Sequence, residues 1–252
     1  MTSRFSGLDE RRPVSGSLYG VTPSPRSFDP SDAALPGADQ GPSRYCCNPG
    51  SVMQRGGEPH DVEQAIQPLH DGRTARLSLR LPDVADVAEL FLMYSDRRVW
   101  QDDPLLRHSS IAQTESWVER WAAGWHRHGL GPWVLRTLPG PSAGPLVGVG
   151  GCSLPTTTAW NLAFSLRPEV WGQGYAQEVA AAGRRCARAL RPDLPITAVV
   201  AAGNTRSRRA IERAGLSSAW RGPDNKDPDP TAELLLYADR ALSEEQVRVL
   251  TA

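Results

Sequence analysis

The stretch from Ala159 to Leu190 constrains this chain more than any other. Ala159–Leu166 is a mostly apolar run of strand length, and Arg167-Pro168-Glu169-Val170 leads out of it. Trp171-Gly172-Gln173-Gly174-Tyr175-Ala176-Gln177-Glu178 follows, and the chain is alanine-rich from Tyr175 to about Leu190. Ala176, Val179, Ala180, Gly183, Cys186, Ala187 and Leu190 fall on one line at helical spacing. That pattern predicts a helix laid against a core. A strand that turns through glycines into a helix leaves several N–H groups beside the positive end of the helix dipole. Such a turn suits a phosphate or pyrophosphate. Gly172 and Gly174 let the backbone approach one without a Cβ in the way.

About thirty residues on comes Asn204-Thr205-Arg206-Ser207-Arg208-Arg209-Ala210-Ile211-Glu212-Arg213-Ala214-Gly215-Leu216. It reads as a polar strand end and a short helix over Ser207–Ala214, closed by Gly215. Ile196–Ala201 before it reads as a short buried strand.

The remaining elements follow from periodicity and turn residues. Arg76–Leu81 alternates with period two and predicts a half-buried strand. Pro82-Asp83 opens a helix with Asp83 as N-cap and Val84, Val87, Ala88 and Phe91 on one face. A polar loop with Asp102, Asp103 and Pro104 leads to a second helix from about Thr114 to His126, broken by Gly129 and Gly131. Trp117, Trp121 and Trp125 recur every four residues on it. They make either a core seam or an aromatic wall beside a pocket. Trp133–Leu138 and Leu146–Leu154 read as strands, as do Ser218–Arg221 and Glu233–Tyr237. Ser243 and Gln246 form a capping-box pair at a last turn. The order β-α-α-β-β-β-α-β-α-β-β predicts an α+β domain, a mixed sheet covered by helices.

Residues 1–72 are rich in Pro, Gly, Ser, Asp and Arg and poor in aliphatic side chains. They lack the apolar area to offset ordering entropy, so a disordered extension is expected there. The folded domain is expected at 73–241, with a short tail at 242–252.

The chain has 28 basic and 28 acidic residues, so no net charge favours nucleic acid. Cys46, Cys47, Cys152 and Cys186 show no metal-ligand spacing, and reduced thiols in a cytoplasmic protein are the expectation. No apolar run is long enough for a membrane span. A full G-x-G-x-x-G and a Gly-Lys-Ser/Thr are both missing, which sets aside the dinucleotide-binding fingerprint and the P-loop.

Taken together, the glycine turn, the asparagine motif and the element order resemble the GNAT N-acetyltransferases. The similarity extends to their subgroup of ribosomal-protein N-terminal acetyltransferases. Trp171 stands where that family usually has Gln or Arg; the form Trp-Gly-x-Gly-Tyr-Ala is similar to a variant of the subgroup. The resemblance implies acyl-CoA in a cleft between splayed central strands. Trp171, Gly172, Gln173, Gly174, Tyr175 and Ala176 would hold the pyrophosphate, and Asn204 and Ser207 the pantetheine side. A strand N–H near Phe164–Leu166 would meet the developing oxyanion. Acetyl-CoA is the implied co-substrate and no metal is needed.

The resemblance also implies direct attack by a primary amine, either a protein N-terminus or a small molecule, on the thioester. Ser207 is the candidate for returning a proton to the thiolate, or else a helix cap. Many family members carry a glutamate where this chain has Asn161. Glu178 is the nearby alternative base, or else a structural carboxylate. His108, His126 and His128 lie on the expected acceptor side and read as surface histidines. No nucleic-acid or membrane partner is expected, and the assembly is a monomer or homodimer. The loss of a carboxylate at position 161 keeps open a non-catalytic acyl-CoA-binding module.

Overall fold

The structure, a computed structural model, describes residues 71–138 and 144–251. Its centre is an eight-stranded sheet in the order β1-β2-β3-β4-β5-β6-β8-β7. The strands are β1 (Asp71–Arg73), β2 (Leu77–Arg80), β3 (Trp133–Thr137), β4 (Leu146–Ser153), β5 (Trp160–Leu166), β6 (Ile196–Ala201), β7 (Ser217–Pro223) and β8 (Glu233–Ala238). All neighbours are antiparallel except β5 and β6, so the sheet is mixed as expected. β1 begins at Asp71, two residues before the expected start of the domain. The extension expected over 1–72 lies, for residues 1–70, outside the described residues, as do Cys46 and Cys47.

The helices are α1 (Val87–Tyr94), α2 (Ile111–His128), α3 (Tyr175–Leu190), α4 (Thr205–Arg213) and α5 (Glu244–Thr251). Alternation along the strands splits the core into two layers. Trp133 and Leu135 of β3 join Val147 of β4 and Val179, Ala180 and Ala187 of α3 on one face. Val134, Leu146 and Val149 point the other way and pack with Val87, Leu90 and Met93 of α1 and Trp117 and Val118 of α2. α3 lies close on β4 because Gly183 has no side chain: a Cβ there would come within 3.0 Å of Cys152 N and 3.2 Å of Gly151 Cα.

Two helices differ from their sequence readings. Asp83 does cap, forming a reciprocal pair with Asp86, but the turn it opens over Val84–Asp86 is 3₁₀. That turn puts Val84 out of phase with the α-helix, so Val84 is exposed and the buried face runs through Val87, Leu90, Met93 and Tyr94. α2 is capped at its start by Ser110, whose hydroxyl accepts from Gln113 N, and at its end by Gly129 with φ +67°. Its tryptophans divide between the layers. Trp117 and Trp121 sit with Tyr94, while Trp125 packs on Trp133 and donates from Nε1 to Pro132 O at 2.9 Å. They are core, not the wall of a pocket. The expected tail is helix α5, with Ser243 and Gln246 capping each other reciprocally.

The parallel pair positions the site. β5 and β6 are in register only at Trp160↔Ile196 and Asn161↔Thr197, after which they splay. Beyond Asn161 the β6-facing edge of β5 has no strand partner.

Candidate active site

The opening between the splayed strands is a cleft of about 260 Å³. β5 supplies Leu162 to Leu166 on one side, and β6 supplies Val199 to Ala201 on the other. The glycine turn and the start of α4 bound it at the C-terminal ends of these strands, and Trp100, Asp102, Asp103 and Leu106 come in from the α1–α2 connection.

The turn has the geometry that its sequence foretold. Pro168–Val170 is a 3₁₀ turn, and Gly172 and Gly174 take φ +77° and +85°. Both are left-handed values that glycine adopts without the Cβ penalty. The N–H groups of Gly172, Gly174, Tyr175 and Ala176 are taken by no other backbone carbonyl among the described residues. Trp171 Nε1 donates to Leu166 O at 2.9 Å, which ties the turn to the end of β5. Gln177 Nε2 donates to Ala210 O at 2.9 Å, which ties α3 to α4.

At the opposite wall, Asn204 caps α4 by accepting from Ser207 N at 3.0 Å. Its amide therefore has a structural duty as well as a place in the cleft. Arg208 donates to Ala202 O at 3.0 Å, and Tyr237 Oη donates to Glu212 at 2.9 Å. Arg208 and Glu212 thus anchor α4 on β8; Arg209 is exposed.

Phe164, Leu166, Trp171, Gly172, Gly174, Tyr175, Ala176, Asn204 and Ser207 all line the cleft. Gln173 does not; its Nε2 donates back to Glu169 O at 3.2 Å. Glu178 does not line it either. Its carboxylate accepts from the Thr74 hydroxyl and pairs with Arg76, both from the β1–β2 region. Burial pushes that carboxyl up, but the bonds from Thr74 and Arg76 outweigh it and hold the group below the usual range. β1 was not read from the sequence, so this partner set was not visible there. A carboxylate held ionised by a cation is a poor proton acceptor.

The histidines are also placed differently. His108 is buried, not on the surface: it stacks on Tyr94 at 4.5 Å, and its Nδ1 meets Thr114 Oγ1 at 2.8 Å. Burial, with Arg120 nearby, lowers its pKa to about 4. It does not line the cleft, and neither do His126, which is exposed, and His128. Asn161 stays in the paired part of β5 and is likewise outside the lining.

Asp103 is the feature that sequence reasoning noticed without weighing. It lines the cleft, and burial together with Asp224 and Asp227 raises its carboxyl to about 6. Those two aspartates belong to the β7–β8 connection, far along the chain, so no spacing rule could have joined them to it. Among the described residues no group of His, Cys, Asp or Glu is arranged to hold a metal ion, and no helix is long and apolar enough to cross a membrane.

A mixed sheet with one splayed parallel pair, and a glycine turn aimed into the gap, is an arrangement this chain shares with known proteins. The family model described as "Acetyltransferase (GNAT) domain" matches residues 76–217, and the chain belongs to that family. An acetyltransferase from Agrobacterium tumefaciens str. C58 has a similar structure, with 25% identity, TM-score 0.53, and coverage of 67% of this chain and 92% of its own. RimL, the ribosomal L7/L12 alpha-N-protein acetyltransferase, is similar at 17% identity and TM-score 0.52, covering 67% and 92%. The Microcin C7 self-immunity acetyltransferase MccE, solved with acetyl-CoA and AMP, matches at 12% identity and TM-score 0.55, covering 71% and 99%. No curated protein sequence matches.

Proposed function

We propose that the chain moves the acetyl group of acetyl-CoA to a primary amine by direct attack on the thioester. The observation that carries this reading is the cleft between β5 and β6, flanked at the C-terminal ends of these strands by the glycine turn on one side and Asn204 and Ser207 on the other. The free N–H groups of the turn and the dipole of α3 would hold the pyrophosphate. The pantetheine arm would run along the unpaired edge of β5, as a strand does. An N–H of that edge near Phe164–Leu166 would stabilise the oxyanion as the amine adds. Ser207 would return a proton to the thiolate: it lines the cleft, and its backbone N–H donates to the Asn204 side chain.

The acceptor is an amine, of a protein N-terminus or of a small molecule. RimL and MccE are themselves acetyltransferases on this fold, which supports the reaction class and leaves the acceptor to experiment. A second reading, a binding module without turnover, is favoured by two observations. Position 161 is asparagine, and the Glu178 carboxylate is engaged by Arg76.

One experiment separates them. Acetyl-CoA is titrated calorimetrically into the full chain and into Gly174→Trp, and thiol release is then followed with peptides bearing free N-termini, spermidine and an aminoglycoside. Micromolar binding that the variant loses, with thiol release on one amine, is the expected result. Binding without release on any of them selects the module, and no binding by the unmutated chain removes both readings.

A further inference from the structure

The α1–α2 connection sends Trp100 and Leu106 into the core beside α1 and α2. That anchorage fixes the residues between them. Asp103 N donates to Trp100 O at 3.2 Å and Asp103 O accepts from Leu106 N at 3.2 Å, so its backbone is held from both sides. Asp102 and Asp103 are the two carboxylates that line the cleft among the described residues. They have different partners. Asp102 Oδ2 lies 3.6 Å from Arg206 Nη2. Asp103 forms no salt bridge with any Arg, Lys or His among the described residues.

We propose that Asp103 is the general base of the transfer, holding the acceptor's ammonium at the cleft and taking its proton before attack. The proposal rests on the acetyl-transfer reading above and supplies the carboxylate that β5 lacks at Asn161. In the step, the ammonium gives one proton to Asp103, which passes it to solvent. The freed nitrogen lone pair forms the C–N bond, and the tetrahedral centre collapses with loss of the C–S bond. The second nitrogen proton leaves through water, and the thiolate is protonated. Acetyl amide and free thiol are the products, with one proton released.

The charges facing Asp103 suit a cationic acceptor. Asp224 and Asp227 approach it from the β7–β8 connection, Asp102 is its chain neighbour, and Arg206 and Arg213 of α4 line the same cleft. The backbone N–H groups of Leu105 and Leu106 act in the opposite direction to burial. The outcome is a carboxyl at about 6. An α-amino group titrates near 8 and a lysine amine near 10.4, so proton transfer to Asp103 spans about two units for the first and about four for the second. That gap selects an α-amine, such as a peptide N-terminus, over an alkyl amine.

The test uses the full chain and three variants, Asp103→Asn, Asp103→Ala and Asp103→Glu, with acetyl-CoA and the tripeptide Ser-Ala-Ala-amide as α-amine probe. Spermidine serves as the alkyl-amine control. The expected result is a fall in kcat/KM of roughly 100-fold in Asp103→Asn and Asp103→Ala, with Asp103→Glu recovering part of it. The unmutated chain should show an acid limb near pH 6 that Asp103→Asn lacks. Acetyl-CoA affinity by calorimetry should stay within about twofold in every variant. An Asp103→Asn enzyme with normal kcat/KM and an intact acid limb overturns the proposal and leaves the acetyl-transfer reading standing. Failure of the unmutated chain to bind acetyl-CoA, or binding with no turnover of any amine, overturns both.

Discussion

The Arg206 guanidinium lies 3.4 Å from the centroid of the Trp171 ring. One residue belongs to the start of α4 and the other to the glycine turn, so this contact joins the two sequence motifs at the mouth of the cleft. Arg206 also reaches Asp102 at 3.6 Å, which draws the α1–α2 connection into the same corner. An arginine stacked on an indole at a partly exposed site contributes about 0.5–1 kcal/mol. Arg206→Ala, Trp171→Phe and the double variant, unfolded in urea, should show the two sites coupled, with a coupling energy below about 1 kcal/mol because Phe keeps part of the ring face. Strict additivity would mean that the stacking contributes nothing.

Gly174 is the residue of the turn least able to accept a side chain. Its φ is +85°, and a Cβ would lie 3.3 Å from Arg76 Nη2. Gly174→Ala should cost about 1–2 kcal/mol of stability, since a left-handed residue with a Cβ is strained by that amount. Acetyl-CoA should also bind about tenfold more weakly, a change of about 1.4 kcal/mol. Gly203→Ala, where a Cβ meets nothing within 4 Å, is the control and should melt and bind normally. Equal behaviour of the two variants would show that the turn is not held to its observed backbone.

Glu178 is expected to act on stability and not on rate. Its carboxyl is held below the usual range: burial opposes the charged form, and the bonds from Thr74 and Arg76 more than offset this. A depressed carboxylate stabilises above its unfolded pKa, and that contribution disappears as pH falls through the folded value. Glu178→Gln should therefore lose about 1–2 kcal/mol at pH 7, with Arg76 partly exposed to solvent. The difference from the unmutated chain should start to shrink as pH falls below the ordinary glutamate value of about 4.3 and vanish only once the folded carboxyl is itself protonated. A changed pH–rate profile for turnover would return Glu178 to the list of catalytic candidates.

His108 makes the domain acid-sensitive in a different window. It is buried with its pKa near 4, so the folded state keeps it neutral. Between about pH 6.5 and pH 4 the unfolded chain binds the extra proton, and stability falls as pH falls. The loss is on the order of 3 kcal/mol across that interval, at about 1.4 kcal/mol per unit. His108→Gln should flatten this slope in melts taken from pH 7 to pH 4.5, whatever it does to stability at pH 7. A slope unchanged in the variant would assign the acid sensitivity to other groups.

By itself the sequence determined the elements that rest on local rules. The glycines at 172 and 174, the alanine line of α3 and the capping pair Ser243–Gln246 all behave as neighbours in the chain dictate, because turns, caps and helix faces are decided within a few residues; the cap of α4 is Asn204, where the sequence offers Ser207 as the cap candidate. The splay of β5 from β6, the partners of Glu178 and the burial of His108 are of another kind. Thr74 and Arg76 reach Glu178 across about a hundred residues, and the environment of Asp103 is made by Asp224 and Asp227 from a distant connection. Periodicity reports which face of an element is apolar, not which element covers it. Trp117 and Trp121 therefore join one core layer and Trp125 the other only because Tyr94 of α1 packs on the first two and Trp133 of β3 on the third. Burial and long-range charge set which carboxylate stays ionised and which is raised, and both are properties of packing that no single segment carries.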